Sequence, residues 1–239
     1  MKTLSIAAML LVSVTASGLA QLQHATPSKT APQVQTDAQW AKSVAAKCSA
    51  GPDNCGLASG ITEDPHFLAL LRHSLPQNES WLVNGYGGHS SVTSAAIDFL
   101  GIPESTTFED NRYLTTTGCV RHACTAKGMI WIDTGTRPST VIFVGEDGVA
   151  GSLKGESGYH LYLYTSREIT TYYAGRRPIE MFDPQFLKSL ARWHDAAISK
   201  YDDQKIILVT IVWPNGRTHD LFWNDLLQPP PSTNTGANQ

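Results

Sequence analysis

Two helix starts stand out in the pattern of polar and apolar residues. Asp64-Pro65 and Asp183-Pro184 each place proline directly after an N-cap residue. The apolar residues that follow recur at helical spacing: Phe67, Leu68, Leu71 and Leu75 after the first start, and Phe186, Leu187, Leu190, Ala197, Ile198 and Tyr201 after the second. A shorter helix is predicted from Asp37 to Lys47. The pattern therefore places helices on both sides of the central part of the chain.

Runs of β-branched and aromatic residues, bounded by Gly, Pro, Asn or Asp, predict strands in the middle and at the end of the chain. The runs are Trp81–Val83, Tyr113–Thr117, Met129–Ile132, Val141–Val144, Tyr159–Tyr164, Ile206–Trp213 and Thr218–Trp223. Strands joined by connections of about 4 to 8 residues cannot be parallel neighbours, because a parallel crossover needs a dozen or more. We therefore expect an α+β domain with an antiparallel β-sheet flanked by helices.

The N-terminal residues have the layout of an export signal. Lys2 is followed by the apolar stretch Leu4–Val14 and then by the small residues of Ser17–Ala20. The apolar stretch is too short to span a bilayer comfortably. We therefore expect residues 1–20 to be a cleaved signal peptide, with retention as an N-terminal anchor as the alternative. The mature protein is expected to be periplasmic or secreted, with no membrane segment after cleavage.

Residues 21–36 and 229–239 are polar, rich in Thr, Pro and Gln or Asn, and lack an apolar period. They predict a flexible linker and a disordered tail, which leaves residues 37–228 as a single α+β domain. Loss of Lys2 with the signal removes one positive charge, so the formal net charge changes from -3 to -4. This mild acidity argues against a nucleic-acid partner, which needs a basic face.

Four cysteines occur in two close pairs, Cys48 with Cys55 and Cys119 with Cys124. In an oxidising compartment this spacing indicates two short-loop disulfides, although four cysteines permit three connectivities. Local pairing is favoured because short loops close most readily. No Gly-x-Ser-x-Gly, His-Glu-x-x-His or Walker pattern occurs in the sequence. The sequence therefore supports no catalytic residue and no cofactor.

A histidine lies between the second pair of cysteines, in the segment Cys119–Cys124 with the sequence Cys-Val-Arg-His-Ala-Cys. A disulfide there would close a tight loop, stabilise the fold by roughly 2 kcal/mol and hold His122 on a rigid turn. Two alternatives stay open. One is a solvated turn without a role. The other is a zinc site completed by His89, which needs thiolates that an oxidising compartment tends to remove.

At these residues the sequence resembles the Ivy family of periplasmic inhibitors of vertebrate-type lysozyme. Members of that family carry a Cys-Lys-Pro-His-Asp-Cys loop, and its frame Cys-x-x-His-x-Cys is met here by Cys119, His122 and Cys124. Flanking features are similar as well, over about residues 63–145. They are Phe67, Leu75-Pro76, Trp81-Leu82-Val83 and Gly87-Gly88 upstream, Tyr113 before the loop and Trp131 after it.

The resemblance implies that His122 enters the active site of a lysozyme-type glycoside hydrolase. Our hypothesis adds Arg121 as a second cation near the acidic cleft of that enzyme. The family's Lys, Pro and Asp are replaced here by Val120, Arg121 and Ala123, and the segment after Asp183 has no counterpart in the family pattern. Two other classes remain: a secreted binding or structural module without inhibitory activity, and a cell-wall hydrolase. The sequence leaves homodimerisation open.

Overall fold

The computed structural model of this protein describes residues 35–48, 61–83, 88–153, 156–168, 182–198 and 205–227, all within one unit that spans residues 35–239. The helices described in full are α1 (Asp37–Cys48), α2 (Pro65–Ser74), α3 (Val92–Asp98), α4 (Pro184–Trp193) and α5 (Trp223–Leu227). A π-helical turn, His194–Ile198, continues α4. The strands are β1 (Glu79–Val83), β2 (His89–Ser91), β3 (Ile102–Glu109), β4 (Tyr113–Val120), β5 (Ala123–Asp133), β6 (Thr140–Leu153), β7 (Glu156–Thr165), β8 (Ile206–Val212) and β9 (Thr218–Phe222).

Some sequence predictions lie outside the described residues. They include the signal peptide, residues 1–20, the tail, residues 229–239, and Cys55 of the first cysteine pair. Within the described ranges, no helix combines the length and the apolar character that crossing a membrane requires.

Seven strands form one sheet in the order β3-β4-β5-β6-β7-β8-β9, and β1 and β2 form a separate ribbon. Every pair of neighbours in the large sheet is antiparallel except β7 and β8, which are parallel. These two strands are joined by a long connection that contains α4, as parallel pairing requires. The predicted α+β class is confirmed, and the β7–β8 pair makes the sheet mixed.

The central strands bury apolar side chains on both faces of the sheet. On β5, Ile130 and Ile132 belong to one apolar cluster, whereas Met129 and Trp131 belong to the other, and β6 alternates in the same way over Val141–Val144. Successive residues of a strand point to opposite faces, so these continuous apolar runs mark a sheet that is covered on both sides. We call the side of Ile130 and Ile132 the first face and the opposite side the second face.

The first face is covered by α1, α2 and α3, whose buried side chains Trp40, Phe67 and Ala95 belong to the same cluster as Ile130. Asp64 is the N-cap of α2, as predicted, and its Oδ1 accepts hydrogen bonds from the backbone N–H groups of His66 and Phe67 at 2.8 and 3.1 Å. The same oxygen accepts from Nε1 of Trp40 at 3.1 Å. One carboxylate therefore caps α2 and binds α1 to it.

The second face is covered by α4. Its N-cap Asp183 accepts a hydrogen bond from the backbone N–H of Gln185 at 2.8 Å, as the Asp-Pro start predicts. Phe186 and Trp193 are buried, and Phe186 meets Trp131 of β5 edge to face at 5.7 Å between ring centres. This geometry is the favoured one for aromatic pairs and fixes α4 against the middle of the sheet.

The sequence pattern predicts neither α3 nor β3. The strand β3 lies at the edge of the sheet, and only Thr106 among its side chains is buried. Hydroxyl pairs join it to β4: Ser105 Oγ lies 2.9 Å from Thr117 Oγ1, and Thr106 Oγ1 lies 3.0 Å from Thr116 Oγ1. A polar edge strand lacks the apolar run on which strand prediction depends.

A carboxyl group is buried in β6. Glu146 has no exposed surface, and burial raises the pKa of its carboxyl to about 8. The backbone amide and the charge of Lys127 oppose this shift by a smaller amount. The carboxyl group of the folded protein therefore keeps its proton at a pH where the same group of the unfolded chain has lost it.

We predict that the free energy of unfolding falls as the pH rises from about 4.5 to about 8, by up to about 4 kcal/mol from this group. The sign follows because the folded state binds more protons than the unfolded state throughout that window. Urea denaturation at several pH values measures the slope. The isosteric, uncharged variant Glu146→Gln should lose most of the dependence; an unchanged slope in the variant would assign the dependence to other groups.

Candidate functional site

The predicted loop is the turn of the β4–β5 hairpin. Val120 of β4 pairs with Ala123 of β5, which leaves Arg121 and His122 as a two-residue turn. His122 has φ 67°, in the left-handed region, where histidine is one of the few side chains found with increased frequency. Both turn side chains are exposed. The imidazole therefore stands at the end of the sheet, outside the core.

A disulfide joins Cys119 and Cys124 beside this turn, as predicted, with a Cα–Cα distance of 4.9 Å. Cys119 is completely buried, whereas Cys124 is exposed. The register shifts at this point, since Cys119 pairs with Lys127 although the next residue, Val120, pairs with Ala123. Part of β5 therefore bulges out opposite β4, and the disulfide connects that bulge to a buried point of the neighbouring strand.

Two glycines behind the disulfide allow the end of α3 to approach the hairpin closely. Gly118 and Gly128 are register partners on β4 and β5. A Cβ at Gly128 would lie 2.6 Å from the Cβ of Phe99, and a Cβ at Gly118 would lie 3.0 Å from the Cα of Leu100. We call this arrangement the glycine notch. Any larger residue at either glycine would push the segment after α3 away from the sheet.

The segment that enters the notch then contacts the turn. Nη2 of Arg121 donates a hydrogen bond to the carbonyl oxygen of Gly101 at 3.4 Å. The next residue, Ile102, is the register partner of Cys119, and 41% of its surface is exposed. The end of the sheet therefore presents an imidazole, a guanidinium and an aliphatic side chain, with their backbone supported from two sides.

The six residues of the predicted inhibitory loop differ in how far a partner can reach them. Val120 is 4% exposed and belongs to the cluster on the first face, so its side chain is part of the core. Ala123 is half-buried. Arg121, His122 and Cys124 are exposed. Val120 therefore adds no charge to the surface, and Arg121 carries the positive charge of the turn.

Charge near the turn is dominated by Arg121. Lys127 lies behind the turn on β5, and its ammonium is paired with the carboxylate of Glu104. Arg121 has no carboxylate partner among the described residues, and its one described hydrogen bond is to a backbone carbonyl. The turn therefore offers an unneutralised cation to a partner.

The alternative of a zinc site at this loop requires two thiolates, whereas the sulfur atoms of Cys119 and Cys124 are bonded to each other. Elsewhere in the described ranges, no group of three or more His, Cys, Asp or Glu side chains is placed to hold a metal ion.

Sequence reasoning missed a hydrogen-bonded chain between β7, β8 and β9. Nε2 of His160 lies 2.7 Å from Oγ1 of Thr210, which donates its proton to Oδ1 of Asp220 at 2.5 Å. Since the hydroxyl proton is used on the carboxylate, the imidazole must be the donor to Thr210. Burial lowers the pKa of His160. The hydrogen-bonded chain positions His160 as a donor to Thr210, so the imidazole is not placed to remove the proton of the Thr210 hydroxyl.

A second missed cluster lines a cavity of about 430 Å³ beside α1 and α2. Asp37 accepts a hydrogen bond from Oγ of Ser139 at 2.6 Å, and its other oxygen lies 2.9 Å from Nε2 of His66. The carboxylate separates the serine from the imidazole, so His66 is not placed to remove the serine proton. These residues are too far apart in the sequence for a spacing motif to reveal them.

The glycine notch generates a test. We predict that Gly128→Ala lowers the free energy of unfolding by about 3 kcal/mol, because the added methyl group overlaps Phe99 in a closely packed region. Urea denaturation measures the loss. The exposed neighbour Thr125 provides the control on the same strand, and Thr125→Ala should change the stability by less than about 0.5 kcal/mol. Equal stability of Gly128→Ala and the wild-type protein would show that the close approach is dispensable.

Comparisons with known proteins give no family for this chain. A scan of protein-family models and searches of curated proteins and solved structures found no match. The function is therefore argued from the residues and their geometry.

Proposed function

We propose that this protein is exported to the periplasm or the medium and inhibits a lysozyme-type glycoside hydrolase. In this proposal the turn of Arg121 and His122 enters the active-site cleft of the hydrolase. The observation that carries the proposal is the exposed position of His122, on a two-residue turn supported by a disulfide. The resemblance of the Cys-x-x-His-x-Cys frame to that of the Ivy family indicates a lysozyme-type glycoside hydrolase as the partner.

The chemistry of the partner explains why an imidazole suits this task. Lysozyme-type enzymes cleave glycosides with two carboxyl groups, of which one is protonated and the other ionised. A charged imidazole donates a hydrogen bond from each ring nitrogen, so His122 can bind both groups at once. Bonds of this kind to a carboxylate are stronger than neutral ones. The ring then occupies the space that the scissile glycosidic bond needs.

The rigidity of the turn favours binding. A loop that is already ordered loses little conformational entropy when a partner binds it. The disulfide restrains the turn on one side, and the contact of Arg121 with Gly101 restrains it on the other. The positive charge of Arg121 complements an acidic cleft, which accelerates encounter as well as adding affinity.

A second candidate is a secreted binding module on the same scaffold without inhibitory activity. The burial of Val120 favours it, because the turn then contributes only a small exposed surface. The two candidates differ in one assay, in which the purified mature protein is added to lysozyme and suspended cell walls. Clearing of the suspension slows with an inhibitor and is unaffected by a binding module. A cell-wall hydrolase would accelerate it.

We predict that His122→Asn raises the inhibition constant for lysozyme at least tenfold, because the variant removes the imidazole. Asparagine tolerates the left-handed backbone of this position, so the turn keeps its shape, whereas alanine would strain it. Inhibition is measured as the rate of cell-wall clearing at increasing concentrations of the variant. Thr125→Ala, outside the turn, is the control and should inhibit like the wild-type protein. Equal inhibition by His122→Asn would remove the imidazole from the mechanism.

The disulfide gives a separate prediction. The double variant Cys119→Ala/Cys124→Ala should keep its circular dichroism spectrum and lose about 2 kcal/mol of stability, because the closed loop is small. Its inhibition constant should rise several-fold, since the turn must then be ordered on binding. Full inhibition by the double variant would show that the ring is not needed for presenting His122.

A further inference from the structure

A cavity of about 460 Å³ with both polar and apolar lining lies on the second face, between β3, β4 and β5 on one side and α4 with its π-helical turn on the other. This volume is within the range of about 300–1,000 Å³ that small-molecule sites occupy. The cavity is separate from the exposed turn and belongs to none of the motifs found in the sequence. Its residues come from strands and a helix that are far apart in the chain.

The cavity wall carries five hydroxyl groups. They belong to Ser105, Thr107, Thr115, Thr117 and Ser189. Four of them form two pairs within the wall, Ser105 with Thr117 and Thr115 with Ser189. In each pair one hydroxyl proton is used, which leaves one proton and three lone pairs for a ligand. Such a wall suits a ligand whose groups also both donate and accept.

The charged side chains of the wall are already paired. Lys127, which is buried, is bonded to Glu104, and the guanidinium of Arg192 donates two hydrogen bonds to Glu109 at 3.0 and 2.8 Å. A ligand with a net charge would have to break one of these pairs or leave its own charge uncompensated. The wall therefore favours an uncharged ligand.

Two polar atoms of the wall residues have no hydrogen-bond partner among the residues that the structure describes. They are Nε1 of Trp193 and Oγ1 of Thr107, and both atoms are buried. Because neither atom is exposed, both lie beneath the surface of the wall. The Trp193 side chain and the neighbouring Ala196 and Ala197 also give the wall an apolar part.

We propose that this cavity binds an uncharged, polyhydroxylated ligand of monosaccharide size. The hydroxyl groups of the wall form hydrogen bonds with the hydroxyl groups of the sugar. The C–H face of the sugar lies against Trp193. Ala196 and Ala197 belong to the π-helical turn, a distortion that occurs frequently at functional sites. The turn displaces these two small residues from the regular helical path beside the cavity. This site is independent of the proposed inhibition.

The test is a titration of the full mature protein with uncharged sugars, namely glucose, mannose and N-acetylglucosamine, to about 50 mM. The readout is the indole ¹⁵N–¹H resonance of Trp193, which the variant Trp193→Phe identifies by its disappearance. We expect a saturable shift of this resonance with at least one sugar and a Kd of about 1–10 mM. Glucuronate, glucosamine and inorganic phosphate are the charged probes and should cause no saturable shift.

Two variants locate the binding. Ala196→Leu fills part of the cavity from its exposed side and should abolish the shift. Thr117→Val removes one wall hydroxyl at nearly constant volume and should raise the Kd at least threefold. The matched control is Thr116→Val, the same change at the next residue of β4, which points to the first face and should leave the Kd unchanged.

The proposal is overturned if no uncharged sugar shifts the Trp193 resonance, or if the shift persists in Ala196→Leu. Binding of charged probes alone would overturn the assigned ligand class. The inhibition assay is scored separately: His122→Asn should bind the sugar like the wild-type protein. If no sugar binds, the proposed inhibition is unaffected. If the protein does not inhibit lysozyme, the proposed sugar site is unaffected.

Discussion

The close contact between the segment after α3 and the paired glycines of β4 and β5 determines the form of the exposed end of the sheet. Gly118 and Gly128 lack side chains where Phe99 and Leu100 lie over the sheet. Only that approach brings the carbonyl of Gly101 within reach of Arg121 and starts β3 as a neighbour of β4. The edge strand, the support of the turn and part of the cavity wall therefore depend on one pair of residues.

The two faces of the sheet separate two kinds of chemistry. On the first face, apolar helices cover the strands and leave the turn exposed at the end. On the second face, the hydroxyl groups of β3 and β4 meet α4 across a cavity, next to an apolar cluster that includes Trp131 and Phe186. Because neighbouring residues of a strand point to opposite faces, β4 contributes Thr117 to the cavity and Gly118 to the notch.

The sequence predicts the parts of this fold in which a single segment determines its own structure. The Asp-Pro starts identify α2 and α4, and continuous apolar runs identify the central strands, since burial on both faces leaves no polar alternation. It could not predict β3, whose side chains are mostly exposed and whose place in the sheet is set by pairing with β4 rather than by an apolar run of its own. The loop of His122 was recognisable because cysteine spacing is local. The cavity was not, because Thr117, Ser189 and Trp193 meet only in the folded chain.

The turn and the cavity lie close together, since Lys127 lines the cavity and is the register partner of Cys119. Proximity alone does not couple them, because a ligand at one site changes the other only if it binds two conformations of the protein differently. The described residues between the two sites belong to β3, β4 and β5, whose bulge beside the turn is held by a disulfide and whose side chains Lys127 and Glu104 form an ion pair. Contacts of this kind position both sites, and coupling would require an element with two arrangements that both ligands favour differently. The proposed inhibitory turn and the proposed sugar site are therefore two separate features of one sheet.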